Sequence, residues 1–152
     1  MSMINWEDVP PQGRLWIFTA SSPWQADQMD MVDRQLSLLC HSWTAHGEPV
    51  AASYTTVDHR LIALTADESA LASASGCSID SMMGQLQELS QALHTNLFDR
   101  MHVYIRPDET APWRRVGIKE AKTSEGQFLN TVGDHMAAFQ PITAIKGSWL
   151  RP

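Results

Sequence analysis

The sequence predicts an α+β fold, a ferredoxin-like βαββαβ sandwich with a C-terminal extension, on three observations. Apolar β runs and amphipathic helical stripes alternate in the order β-α-β-β-α-β. The first and third β runs are continuously apolar while the second and fourth alternate, which suits central and edge places in an antiparallel sheet ordered 4-1-3-2. The chain's 152 residues are enough for one core and leave little room for a second. A single domain, 1–152, is therefore expected, with 14–106 as the βαββαβ core and 107–152 as the extension.

The first strand is "RLWIFT" (14–19), a short run read as buried on both faces. "SSPW" follows, with Ser22 as the expected N-cap and Pro23 at the first helical position. Met29, Val32, Leu36, Leu39 and Trp43 then recur at spacings of three and four, which makes one helix face. His46-Gly47 is the expected stop, because glycine adopts the left-handed conformation that ends helices.

"PVAASYTT" and "RLIALT" flank the short connection "VDH" and read as a hairpin. Ile79, Met82, Met83, Leu86, Leu89 and Leu93 form a second helical stripe. "MHVYIR" closes the series, with Met101, Val103 and Ile105 on one side and His102, Tyr104 and Arg106 on the other. Central strands buried on both faces require a cover for the side of the sheet away from the helices. The candidates are the extension, with Trp113, Phe128, Phe139 and Trp149, or a second subunit, so self-association as a homodimer is expected.

Hydrophobic residues make up 43% and charged residues 18%, an ordinary globular composition. The net charge of -6, with scattered rather than clustered basic residues, argues against a nucleic-acid partner. No apolar stretch approaches the roughly 20 residues needed to cross a bilayer, and the acidic, Pro-rich N-terminus is unlike a signal peptide. A cytoplasmic protein without a membrane partner is expected, with Cys40 and Cys77 as thiols rather than a disulfide. The only shift in composition is "RPDETAPWRR", after residue 105.

Candidate chemistry centres on "ASGCSIDSMM" (74–83). Cys77 lies just before Ser78, the expected N-cap of the second helix, where unpaired amides and the positive end of the helix dipole favour a thiolate. Asp80, in the same turn, opposes it. A small buried packing residue is the competing reading of Cys77. His46, at the exit of the first helix, reads as a cap or as a general base that could form a Cys-His pair with Cys77. Cys40 falls beside the Leu36 stripe and reads as core. With His41 it could supply extra ligands to a zinc site, but neighbouring residues face different sides of a helix and no C-x-x-C spacing occurs, so no metal site is expected. Arg100 and Asp67 read as solvated loop charges or as parts of an Arg-carboxylate clamp for a small ligand. Trp43 reads as core, with ligand stacking as the sharper alternative.

Together, "CHSWTAHG", "SYTTVDHRLIALTADE", "ASGCSID" and "LFDR" resemble a family of small bacterial proteins of about this length, often labelled "ABC transporter ATPase" and without a characterised activity. The resemblance covers residues 14–106 and, beyond them, only the closing "SWLRP". The label implies nucleotide hydrolysis, but no G-x-x-x-x-G-K-[ST] stretch exists to cradle phosphates, so this sequence does not support it. Two functional readings follow. The first is a non-catalytic interaction module that binds itself, another protein or a small molecule, with no cofactor. The second is a thiol-dependent enzyme using Cys77 with His46. No complete catalytic constellation is legible, which favours the first.

Overall fold

Every residue from Leu61 to Ala66 is buried, and a strand buried on both faces must have a layer on each side. The computed structural model, which describes residues 3–152, supplies both layers. The chain runs β1 (Arg14–Thr19), α1 (Met29–Ser42), β2 (Thr44–Ala45), β3 (Glu48–Pro49), β4 (Ala52–Val57), β5 (Leu61–Ala66), α2 (Gly76–Ala92) and β6 (His102–Arg106). It continues through β7 (Arg114–Gly117), α3 (Ile118–Ala121), β8 (Gln127–Leu129) and β9 (Ile142–Ala144). The architecture is α+β, and its strands form three antiparallel sheets.

The first sheet has the order β1-β5-β4, with Trp16 opposite Leu64 on one side of β5 and Tyr54 opposite Leu64 on the other. Alternation then sorts its residues. Phe18, Ala52, Ile62 and Leu64 pack with Val32, Leu36 and Leu39 of α1 and Met82, Leu86 and Leu89 of α2. Leu15, Ile17, Leu61 and Ala63 form the opposite face, where Tyr104, Trp113 and Leu129 close over them. The extension, together with Tyr104 of β6, thus fills the face for which a second subunit was the alternative cover.

The sheet order 4-1-3-2 is not realised. The expected fourth strand, β6, lies in a separate four-stranded sheet, β7-β6-β8-β9, pairing Val103 with Val116 and Ile105 with Phe128. The edge of β1 is met instead by the segment around His135, through an Arg14–His135 bridge and a Leu15 N–H donated to the Asp134 carbonyl at 3.0 Å. Packing explains the change. Tyr104 faces the first sheet, whereas Val103 and Ile105 require a core of their own, which Val116, Ala121, Phe128, Ile145 and Leu150 provide.

Three helix ends differ from expectation. Ser22 is not an N-cap: its N–H and hydroxyl engage Thr95 Oγ1, and α1 starts only at Met29, after a 3-10 turn at 26–28 closed by Gln25 and Gln28. Burial of Trp24, whose N–H donates to the His59 carbonyl, holds this segment off the helix axis. His46 and Gly47 do not stop α1. The chain leaves the helix at Trp43, and His46 (φ 54°) and Gly47 (φ 80°) form the turn between β2 and β3. Two consecutive positive φ angles are what a tight hairpin with right-twisted strands demands. The N-cap of α2 is Ser75 rather than Ser78. The two serines make a reciprocal capping box, each side chain accepting the other's backbone N–H.

Candidate functional site

Trp43, His46, Asp67, Cys77 and Asp80 belong to segments around one end of the first sheet, and each has its own setting there. Cys77 is exposed in the first turn of α2, so it is not the buried packing residue that was the competing expectation. His46 is exposed on its hairpin turn, and among the described residues no hydrogen bond links it to Cys77. With the cap moved back to Ser75, Asp80 falls beyond the first turn, but at i,i+3 from Cys77 it lies on the same face of α2.

Trp43 is sealed in the core. It is 2% exposed, its ring meets Trp16 edge-on at 5.4 Å, and its Nε1 donates to the Ser78 carbonyl at 2.8 Å. Asp67 is used locally, its Oδ1 accepting from the N–H and hydroxyl of Ser69. Arg100 is remote, at the other end of β1, with its guanidinium over the Phe18 ring at 5.3 Å. The Arg-carboxylate clamp drawn from Arg100 and Asp67 therefore does not form. Cys40 is buried in α1, and burial pushes its thiol up to about 12. Among the described residues, no group of three or more His, Cys, Asp or Glu is arranged to hold a metal ion, and no helix is long and apolar enough to cross a membrane.

The structure instead presents a cleft of about 610 Å³ on the extension, in the "RPDETAPWRR" stretch. Its walls are Ile105, Pro107, Ala111, Pro112 and Trp113, and its polar groups are Arg106, Arg114, Ser124 and Glu125. Each part is held for a physical reason. The loop after β6 is turned by Asp108, whose Oδ1 accepts from the N–H and hydroxyl of Thr110. Those bonds to Thr110 hold the Asp108 carboxyl below its ordinary range. Gly126 (φ +106°) packs so tightly that a β-carbon there would lie 2.2 Å from the Arg106 carbonyl oxygen, which fixes the backbone carrying Arg106.

Arg106 is the centre of this arrangement. Its guanidinium stacks on Trp113 at 3.9 Å, and its Nε donates to Gln127 Oε1 at 2.6 Å. Trp113 Nε1 in turn donates to Asp58 Oδ2 at 2.8 Å, from the turn between β4 and β5. Residues from three segments that are distant in the chain, Asp58, Trp113 and Gln127, thus hold one cation in place. Ser124 donates its hydroxyl to the Glu120 carbonyl, and the lining residues include no His or Cys. The composition shift after residue 105 was the only sequence signal for this cleft. Nothing in it identified Asp58 or Gln127 as partners.

With this geometry established, no family model, curated protein or solved structure matches the chain.

Proposed function

We propose that this chain is a small non-catalytic binding module and that its binding site is the cleft between the 107–112 loop and Ser124-Glu125. The observation that carries the reading is the Arg106 guanidinium, held on Trp113 at the head of an apolar-walled cavity. A site whose polar group is already oriented loses less free energy in ordering itself when it binds. The cavity volume falls within the roughly 300–1,000 Å³ usual for small-molecule sites. Self-association was motivated by an uncovered sheet face. Tyr104, Trp113 and Leu129 occupy that face, so the module reading places recognition in the cleft instead.

The test is a fragment screen on ¹⁵N-labelled protein. Binding is expected to shift the amides of Ala111, Arg114, Ser124 and Glu125 and the indole N–H of Trp113. If millimolar fragments leave these signals unmoved, or act only on residues near Cys77 and His46, the reading fails. The second reading, a thiol-dependent enzyme using Cys77 with His46, draws support from the exposure of Cys77 in the first turn of α2. It requires alkylation of Cys77 to slow when His46 is replaced by alanine.

A further inference from the structure

We propose that the cleft selects amphipathic monocarboxylates, small molecules whose carboxylate docks on Arg106 while an apolar body lies along Pro107, Ala111 and Pro112. This rests on the binding-module reading and adds the chemical class of the ligand. A guanidinium carries five N–H donors in a rigid fork. Among the described residues, Arg106 hydrogen-bonds only through Nε, to Gln127. Nη1 lies 3.9 Å from Asp58 Oδ2, too far for a hydrogen bond, and among the described residues Nη2 makes none.

The Arg106 side chain is only 12% exposed, so water reaches little of it. Its Nη donors are not among the described atoms sealed from water without a partner, so they meet water when the cleft is empty, and a planar carboxylate matches their spacing and can displace that water with two parallel bonds. The other charges of the cleft are already paired, Arg114 with Glu120 at 2.7 Å and Glu125 with Arg151 at 3.1 Å. Asp58 limits the charge of the ligand. Arg106 already forms a 3.9 Å ion pair with Asp58 and also acts on Asp108, so a dianion such as a phosphate monoester meets more repulsion there than a monoanion, whose two parallel bonds have to outweigh those carboxylates. An uncharged ligand would leave the charge-assisted bonds unmade.

The experiment compares 2-naphthoate, 2-naphthamide and 2-naphthyl phosphate by isothermal titration calorimetry. The Arg106 Nε–H signal is followed by NMR to locate binding. Charge-assisted hydrogen bonds imply that naphthoate binds about tenfold to a hundredfold tighter than the amide and also tighter than the phosphate. Arg106→Gln should abolish the preference for the acid, Arg106→Lys should keep only part of it, and Arg34→Gln, exposed on α1 and outside the cleft, should keep it whole. The comparison within the unaltered protein stands even if a variant at Arg106 does not fold. Equal binding of acid and amide, or a preference for the phosphate, overturns the ligand class and leaves the module reading intact. Failure of all three probes while other fragments occupy the cleft does the same, whereas failure of the fragment screen as well overturns both.

Discussion

Removing one oxygen atom from Tyr104 tests how the two larger sheets are joined. Tyr104 lies in β6 and faces the first sheet, where its hydroxyl donates to the Ala20 carbonyl at 2.6 Å. Ala20 is 1% exposed and Tyr104 4%, so water cannot replace the lost donor without the layers opening. In Tyr104→Phe the ring and its packing remain, and the Ala20 carbonyl is left buried without this partner. A net hydrogen bond is worth about 1 kcal/mol, and stranding a buried acceptor costs about 1–3 kcal/mol. The expected loss is therefore about 2 kcal/mol, or roughly 4–8 °C in Tm for a domain of this size. Burial also raises the Tyr104 phenol above its ordinary range, against the opposing charges of Arg60 and Arg115. A phenol whose pKa is raised on folding contributes stability that is present below pH ~10 and is lost as pH rises through the folded value. Urea denaturation of both proteins from pH 7 to 11 reads both effects. The phenylalanine variant should be weaker at pH 7 and lose less as the pH climbs. A loss under about 0.5 kcal/mol at pH 7 would show that the bond between layers does not carry the energy assigned to it.

Three further outcomes follow from the same reasoning. With native protein, a thiol reagent should modify Cys77 at once and Cys40 only on unfolding, since Cys77 is exposed while burial holds the Cys40 thiol near 12; mass spectrometry of the labelled peptides gives the order. Gly126→Ala should destabilise by more than about 2 kcal/mol, because a β-carbon at φ +106° meets the Arg106 carbonyl oxygen, and calorimetry should show the fall in Tm. Burial raises the Asp99 carboxyl, but bonds from the Met101 N–H, His102 and Arg115 outweigh it and lower its pKa overall. A carboxyl lowered on folding contributes stability present above its unfolded value of about 3.9 and lost as pH falls through the folded one, so Asp99→Asn should flatten the acid end of the stability curve in thermal melts below pH 4.

Periodicity located β1, α1, β4, β5, α2 and β6 because each is long enough to repeat its pattern. It could not place β6 in a sheet. The residues that draw it away from β1 are Val116 and Phe128, on strands of four and three residues, too short for alternation to register. The helix caps were misread where tertiary bonds prevailed: Ser22 serves Thr95, and Trp43 leaves α1 to bury its ring. The cleft was legible only as a change in composition. Arg106 and Trp113 are neighbours in the chain, but Asp58 and Gln127 reach them only because β5 and β8 return beside them. The Cys77 and His46 pair had the opposite history, with residue types suited to chemistry and a fold that leaves each exposed without a hydrogen bond to the other.

The cover over Leu15, Ile17, Leu61 and Ala63 comes from residues 104–129, so during synthesis it arrives well after the surface it protects. At about 5–20 residues per second, the nascent chain carries a finished β1-β5-β4 face for several seconds before Leu129 emerges. In that interval an apolar strand surface is presented to solvent or to a chaperone, and the outer edge of β1, not yet met by the segment around His135, is open to pairing with other nascent chains. A stop codon or ribosomal stall between residues 66 and 104 should therefore yield an insoluble product, and a slow codon just beyond residue 129 should be harmless.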